Sequence, residues 1–132
     1  MKRFVDTNFL VRFKEGNVGA VQMMKSIKDG KNEYFLPAIV VEELVWLLTK
    51  FYKEPKREII KFIKALLASG NLKVVYVYDR ERAMAIYGQL NVKFTDCVIY
   101  GYMKKGDLIV SYDGDFDRLP GIKRVDPGVG SN

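Results

Sequence analysis

Short apolar segments alternate along the chain with longer stretches in which apolar residues recur at helical spacing. The short segments are rich in β-branched and aromatic residues, as buried strands are. They cover residues 4–5, 34–36, 74–78, 108–110 and 123–125. One of the longer stretches places five apolar residues on a single helical face: Ile59, Phe62, Ile63, Leu66 and Leu67. This alternation predicts an α/β fold with a mainly parallel sheet covered by helices, because parallel strands need crossover connections.

The predicted helices begin and end at recognisable residues. Asn17 and Asp79 are suited to cap helix N-termini, and Pro55 stands where the first turn of a helix would start. A further helix is expected from about residue 39 to 51, and another from about 95 to 103. With no repeat and no linker, we expect one domain over residues 1–127 and a C-terminal tail over 128–132.

Acidic residues follow two of the predicted strands. Asp6 ends the first strand, and Ser111, Asp113 and Asp115 come directly after the strand at 108–110. In parallel sheets, ligands bind outside the carboxyl ends of the strands, so these residues are candidates for a shared site. Two structural alternatives stay open, since Asp6 also suits a helix N-cap and the later aspartates suit a tight turn.

Composition excludes several kinds of chemistry. The 132 residues include no histidine and one cysteine, Cys97. The chain therefore cannot form a Ser-His-Asp or Cys-His catalytic site, a histidine-ligated zinc site or an intramolecular disulfide. What remains is chemistry carried out by carboxylates, hydroxyls, amines or a bound ion.

Charge and hydropathy indicate the surroundings in which the chain works. Lys and Arg number 22 against 16 Asp and Glu, a net charge of +6, which favours an anionic partner such as nucleic acid or an acidic protein segment. No apolar run is long enough to cross a bilayer, so we expect a cytoplasmic protein with no membrane partner. Aromatic residues make up 13%, and their spacing predicts core positions rather than a stacking surface.

Further carboxylates lie in predicted helices. Glu42 and Glu43 occupy the most apolar helix, where a buried charge must be paired or bound to a cation; periodicity does not distinguish between them. Asp96 stands at a predicted helix start. If Asp6, Asp96, Asp113 and one glutamate meet, their repulsion requires a counter-charge that Mg²⁺ or Mn²⁺ would supply. Such an ion can activate water and stabilise charge on a phosphodiester.

Four segments resemble the motifs of the PIN-domain ribonucleases, specifically the VapC-type toxins of toxin–antitoxin pairs. They are VDTNFLVR at residues 5–12, VVEELVWLL at 40–48, FTDCVI at 94–99 and SYDGDFDRLPG at 111–121. They occur in the family's order and spacing and span nearly the whole chain. The resemblance implies a three-layer α/β/α sandwich with a central, mainly parallel sheet, and an endoribonuclease that uses Mg²⁺ or Mn²⁺.

The resemblance also assigns roles to the acidic residues. Asp6 and Asp96 would be the principal metal ligands, and Glu43, rather than Glu42, would complete the pocket together with Asp113. Asp115 would be an additional catalytic carboxylate. One departure from the family pattern is Glu42, which stands where the family usually has a small residue.

Polar and basic residues near the motifs receive supporting roles from the same resemblance. Thr7, Asn8 and Ser111 would orient the carboxylates or water from behind, with Ser111 in place of the commoner threonine. Arg12 and Arg118 are candidates for contact with RNA phosphates. The expected protein partners are a cognate antitoxin, which would insert a basic side chain into the acidic groove, and a second copy of the chain in a homodimer.

Other functions are compatible with parts of this pattern. A PIN-like fold that only binds proteins would need no catalytic cation. A receiver-type signalling domain would need a phosphorylatable aspartate after a middle strand, and Asp79 fits a helix cap better. An aspartyl phosphatase would need a second aspartate where Asn8 stands. The filled acidic positions favour the nuclease.

Overall fold

The computed structural model describes residues 1–128, in which five parallel strands form one sheet between helices. The strands are β1 (Arg3–Val5), β2 (Tyr34–Pro37), β3 (Leu72–Val75), β4 (Leu108–Val110) and β5 (Lys123–Val125). The helices are α1 (Thr7–Lys14), α2 (Val18–Asp29), α3 (Ala38–Lys50), α4 (Lys56–Leu67), α5 (Arg80–Gln89), α6 (Phe94–Tyr102) and a 3₁₀ helix (Gly114–Arg118). The predicted α/β/α sandwich is confirmed.

The strand order places a topological switch at the centre of the sheet. The order is β3-β2-β1-β4-β5, so the chain builds outwards from β1 on one side and then returns to β4 on the other. Val5 is in register with Val110, and Asp6 and Ser111 therefore emerge side by side. In open parallel sheets this is where ligands bind.

The central strands are buried on both faces. Side chains alternate between the two faces of a strand, yet Phe4 and Val5 are both buried, as are Ile109 and Val110. Helices therefore cover both sides of β1 and β4. Full burial of each such side chain contributes roughly 1.5–3 kcal/mol of transfer free energy. This burial stabilises β1 and β4 and thereby fixes the positions of the residues that follow them.

Two predictions from the apolar pattern are wrong in detail. The strand expected at residues 74–78 ends at Val75, and Tyr76 and Val77 are 74% and 88% exposed. The reason is that Val75 pairs with Pro37, after which β2 gives way to α3 and leaves no pairing partner. Leu67, expected on the buried face of α4, is also exposed.

The last described residue is in contact with the body of the domain. The Tyr112 hydroxyl donates a hydrogen bond to the Gly128 carbonyl at 2.5 Å, and the Gly128 carbonyl also lies against Gly19, where a Cβ atom would collide with it. The rest of the predicted tail, 129–132, lies outside the described residues. Within residues 1–128, the helices lack the combination of length and apolar character needed to span a bilayer.

Candidate active site

Asp6 caps the N-terminus of α1 and also lines a cleft at the carboxyl end of β1, where it is buried. Its Oδ1 atom accepts a hydrogen bond from the Phe9 N–H at 3.0 Å, which caps α1, and its Oδ2 atom accepts one from the Ser111 hydroxyl at 2.6 Å. The side chain is 4% exposed. The structural and functional interpretations of this residue are therefore compatible, because capping orients the carboxylate.

Ser111 connects the two central strands. Its hydroxyl donates to Asp6 and accepts a hydrogen bond from the Asp113 N–H at 2.8 Å. Asp113 in turn accepts from the Asp115 N–H at 2.9 Å and caps the 3₁₀ helix. The Ser111 carbonyl accepts from Arg124 of β5 at 3.1 Å. One buried hydroxyl thus sets the relative positions of the carboxylates that follow β1 and β4.

Asp96 enters the same cleft from the first turn of α6. It is 3% exposed, and its Oδ1 atom lies 4.0 Å from the Lys93 Nζ atom. Its Oδ2 atom is buried and has no hydrogen-bond partner among residues 1–128. A buried oxygen with no partner is costly, and a cation is one way to satisfy it.

Burial is the main reason that the pKa values of two cleft aspartates, Asp6 and Asp96, are raised, and nearby carboxylates add to it. Burial raises the pKa of Asp96 to about 8; Lys93 opposes this, whereas nearby Asp113, Asp6 and Glu43 add to it. Burial also raises the pKa of Asp6 to about 6, although its hydrogen bonds to Ser111 and Phe9 favour the charged form. A bound cation would reverse these shifts, because it stabilises the ionised carboxylates.

Three carboxylates come close enough to share an ion. One oxygen from each of Asp96, Asp113 and Asp115 lies within 4.8 Å of the others. Asp96 and Asp113 line a cleft of about 270 Å³, whereas Asp115 is not among its lining residues. Asp6 and Glu43 line the same cleft but stand outside this group of three. Oxygen ligands from carboxylates suit Mg²⁺ and Mn²⁺, so the donor set and the unpartnered Asp96 oxygen fit a divalent cation.

The structure separates the two adjacent glutamates of α3. Glu43 lines the cleft, and its Oε2 atom is 4.0 Å from the Lys93 Nζ atom. Glu42 is exposed and is not among the residues that line the cleft. Of these two glutamates, Glu43 is therefore the one that lies at the cleft.

Comparison with known proteins gives the family. The family model described as PIN domain matches residues 3–122, which is most of the chain. The chain belongs to the PIN-domain family. A curated relative from Aquifex aeolicus (strain VF5), named VapC ribonuclease, is 26% identical over 131 residues, covering 95% of this PIN domain and 96% of the relative. The resemblance inferred from the four motifs is confirmed.

Solved structures with the same fold include components of toxin–antitoxin complexes. VapBC from Salmonella typhimurium, solved bound to DNA, matches with a TM-score of 0.74 and 18% identity, covering 97% of this PIN domain and 99% of that chain. VapC20 from Mycobacterium tuberculosis, described as a Sarcin-Ricin loop cleaving toxin, matches with a TM-score of 0.70 and 20% identity, covering 91% and 96%. At sequence identities of 18% and 20%, this structural similarity shows a shared fold and nothing more.

Two polar residues of the first motif also line the cleft of the PIN domain. Thr7 is buried, and its hydroxyl has no hydrogen-bond partner within the described part of the chain. Asn8 is exposed at the edge of the cleft. With Ser111 behind Asp6, all three residues predicted to orient the carboxylates are therefore at or next to the site.

Lys93 is a cleft residue that the motifs did not reveal. Partial burial lowers its pKa, but Asp96, Glu43, Asp113 and Asp6 together outweigh this and raise the pKa above its ordinary value. The lysine is thus the positive charge that the protein itself places among the acids. The available signal was its position just before the predicted helix start that carries Asp96, since Lys93 is the N-cap of α6 and Asp96 lies in its first turn.

The two arginines predicted to contact phosphates lie elsewhere. Arg12 is exposed with its guanidinium carbon 5.4 Å from the centre of the Tyr112 ring. Arg118 donates a hydrogen bond to the Asn91 carbonyl at 2.8 Å. Neither arginine is among the residues that line the cleft, whereas Lys93 is.

The expectation that the aromatic residues belong to the core is wrong for six of them, which are exposed: Trp46, Phe51, Tyr52, Tyr76, Tyr87 and Phe94. Phe51 and Tyr52 follow α3, line the acidic cleft, and are 71% and 41% exposed. Their rings are 5.1 Å apart in an edge-to-face arrangement. Helical spacing from the apolar α3 predicted burial for these residues, but the helix ends at Lys50 and they lie in the turn beyond it.

Proposed function

We propose that this protein is a Mg²⁺- or Mn²⁺-dependent endoribonuclease and the toxin of a toxin–antitoxin pair. The observation that carries the proposal is the convergence of Asp96, Asp113 and Asp115 within 4.8 Å at the carboxyl edge of the sheet. Asp6 and Glu43 in the same cleft support it. The name of the Aquifex aeolicus relative, VapC ribonuclease, points to the same activity.

Each acidic residue has a place in this chemistry. Asp6, Asp96, Glu43 and Asp113 are the proposed ligands, and Asp115 joins them as a catalytic carboxylate. When bound, the ion would lower the pKa of a water molecule bound to it and would stabilise negative charge on the phosphodiester. The carboxylates of the chain bind and orient the ion, while burial excludes bulk water and strengthens their electrostatic effect.

Groups around the carboxylates would hold them in place. Ser111 fixes Asp6 through a hydrogen bond, and Thr7 and Asn8 are positioned to orient water or substrate at the edge of the cleft. Arg12 and Arg118 keep their proposed role in contacting RNA phosphates, now away from the cleft itself. A substrate reaching these arginines would have to extend beyond the acidic residues.

The proposed protein partners follow from the relatives. The similar structures from Salmonella typhimurium and Rickettsia felis are VapBC complexes bound to DNA, and we propose a cognate antitoxin for this chain as well. An acidic cleft would attract a basic side chain from such a partner. A homodimer is proposed on the same family grounds.

The rival functions receive less support from the geometry. A receiver-type domain would carry its phosphorylated aspartate after a middle strand, but Asp79 follows the edge strand β3 and caps α5 by accepting from the Arg82 N–H at 3.1 Å. A PIN-like fold that only binds proteins would gain nothing from a buried Asp96 oxygen without a partner. The geometry therefore favours a nuclease.

An RNA cleavage assay tests the proposal, with Glu42, which is exposed, as the matched control for Glu43, which lines the cleft. Purified protein is expected to cleave RNA with Mg²⁺ or Mn²⁺ and to lose the activity with chelator. Glu43→Gln, Asp6→Asn and Asp96→Asn are each expected to lower the rate by roughly 100-fold or more, since even groups behind metal ligands contribute 10–100-fold. Glu42→Gln should cleave like the unaltered protein. Full activity of Asp6→Asn or Asp96→Asn would contradict the assignment.

A further inference from the structure

The acidic cleft continues along α3 to two exposed aromatic rings. Phe51 is the C-cap of α3 and keeps helical dihedral angles, so it continues the helix face on which Glu43 and Leu47 lie at four-residue spacing. All three residues line the cleft together with Tyr52. At 1.5 Å per residue, Phe51 lies about 12 Å along the helix axis from Glu43. The rings are therefore within reach of the nucleotides next to a phosphate bound at the carboxylates.

The turn between α3 and α4, residues 51–55, holds these rings in place. The N–H groups of Phe51 and Tyr52 both donate to the Leu47 carbonyl, at 2.9 and 3.0 Å. Glu54 donates its N–H to the Leu48 carbonyl at 2.8 Å, and its carboxylate pairs with Lys14 of α1 at 2.6 Å. The turn is thus fixed to two helices, and the aromatic rings stay exposed in a defined position.

The same turn places lysines beside the rings. Lys50 precedes Phe51 and Lys53 follows Tyr52, and both lysines are exposed. Lys53 adopts a left-handed backbone conformation with φ of 53°, which is uncommon for a residue with a side chain and costs free energy. In the sequence Lys-Phe-Tyr-Lys, two exposed lysines therefore flank the two aromatic residues that line the cleft.

We propose that Phe51 and Tyr52 hold a base of single-stranded RNA beside the scissile phosphate, one ring stacking on its face and the other packing against its edge. Lys50 and Lys53 lie against the adjoining phosphates. Aromatic side chains next to basic ones are the usual means of binding single-stranded nucleic acid, because bases stack and phosphates require positive charge. This inference rests on the proposed ribonuclease function and adds to it a site that holds the unpaired substrate strand.

An RNA strand suits this surface better than a protein segment does. The rings are continuous with the carboxylates of the proposed reaction, in one cleft, and lysines flank them in the sequence. A protein helix would need a continuous apolar stripe opposite it. The chemistry of the turn, positive charge and flat rings, is complementary to a base and its phosphates.

A fluorescent base tests the stacking directly. The probe is an oligouridine with one 2-aminopurine, bound to the cleavage-deficient Asp96→Asn protein so that the RNA stays intact. Stacking on an aromatic ring should quench the probe. Adding Phe51→Leu and Tyr52→Leu, which keep apolar surface but remove the rings, is expected to abolish the quench and weaken binding roughly tenfold. Tyr76→Leu is the control, because Tyr76 is exposed away from the cleft.

A second measurement uses the active protein. In the double variant Phe51→Leu/Tyr52→Leu, KM for a cleaved single-stranded RNA should rise by a larger factor than kcat falls. The single variant Phe51→Trp, which keeps an aromatic ring at this position, should have the wild-type KM. Unchanged quenching and KM in the leucine variant would overturn the stacking proposal. So would an altered oligomeric state with unchanged RNA binding, which would make the turn an interface between copies. Failure of the unaltered protein to cleave RNA with Mn²⁺ would overturn the ribonuclease proposal itself.

Discussion

At the scale of single residues, Ser111 shows how much of the site depends on one hydroxyl. It is fully buried and bonds to Asp6 and Asp113, which follow different strands. Removing it leaves a buried carboxylate oxygen without its donor, and that donor is one of the groups that favour the ionised form of Asp6.

Ser111→Ala is therefore expected to raise the pKa of Asp6 further and to destabilise the fold by about 1–3 kcal/mol. Metal affinity should fall by roughly 10–100-fold. Ser111→Thr keeps the hydroxyl, and threonine is the commoner residue at this position in the family. This variant should therefore show little of the loss in stability or in metal affinity. Urea denaturation and Mn²⁺ titration would measure them, and equal behaviour of alanine and threonine would contradict the role given to the hydroxyl.

Asp96 leads to a prediction about pH. Its pKa is about 8 in the folded protein against an ordinary value of 3.8. Because the folded state holds the proton more tightly, the stability that the group contributes is present below about pH 4 and is lost as the pH rises through 8. At pH 9 without metal, the wild type therefore carries an ionised, poorly solvated carboxylate.

Asp96→Asn is expected to raise the melting temperature of the metal-free protein at pH 9, by an amount equivalent to a few kcal/mol, and to change it little at pH 4. Mn²⁺ should then raise the melting temperature of the wild type at pH 9 far more than that of the variant. Glu42→Gln serves as the exposed control in both comparisons. A lower melting temperature for Asp96→Asn at pH 9 would contradict the account.

At this scale, the sequence was sufficient to predict the acidic residues of the site but not the residues that surround them. Asp6 was predictable because it directly follows an apolar strand, and Asp113 because it lies three residues after another. Glu43 was separable from Glu42 only through the family resemblance. Lys93 and Phe51 were missed, since their importance depends on which way a side chain points after a helix boundary, and periodicity does not determine that.

At the scale of elements, capping residues join neighbouring helices and strands. Asn71, just before β3, donates its side-chain amide to three carbonyls at the end of α2: those of Ile27, Lys28 and Gly30, at 3.2, 3.1 and 2.7 Å. The last carbonyls of a helix have no partner within the helix, so this amide ties α2 to the sheet.

Asn71→Ala is expected to destabilise the fold by about 1 kcal/mol, which lowers the melting temperature by a few degrees. Activity per folded molecule should stay unchanged, because the bond is remote from the cleft. Asn32→Ala, at an exposed position two residues after Gly30, is the matched control. Thermal melts would measure the difference, and a shift no larger than that of Asn32→Ala would contradict the capping role.

Element types followed from the sequence more reliably than element ends. Asn17, Pro55 and Asp79 mark helix starts as predicted, because caps and prolines act locally. The end of β3 was wrong, because it depends on where β2 stops at Pro37, far away along the chain. Local chemistry is therefore readable from sequence, whereas pairing between distant segments is not.

At the scale of the whole molecule, strand order makes the candidate site. Alternation predicted a parallel sheet but not the order β3-β2-β1-β4-β5, which puts the ends of β1 and β4 side by side. Helices α3 and α6 then bring Glu43 and Asp96 to the same edge. Four segments far apart in sequence thus meet, and the family resemblance anticipated this where periodicity alone did not.

The central claim is that these segments hold one divalent cation. A crystal of the protein soaked in Mn²⁺, with diffraction recorded at the manganese edge, tests it most directly. We predict an anomalous peak within about 2–2.5 Å of carboxylate oxygens from Asp96 and at least one of Asp6, Asp113 and Asp115, and no such peak in Asp96→Asn. Carboxylates without a bound manganese, or manganese bound on another face of the molecule, would contradict the account.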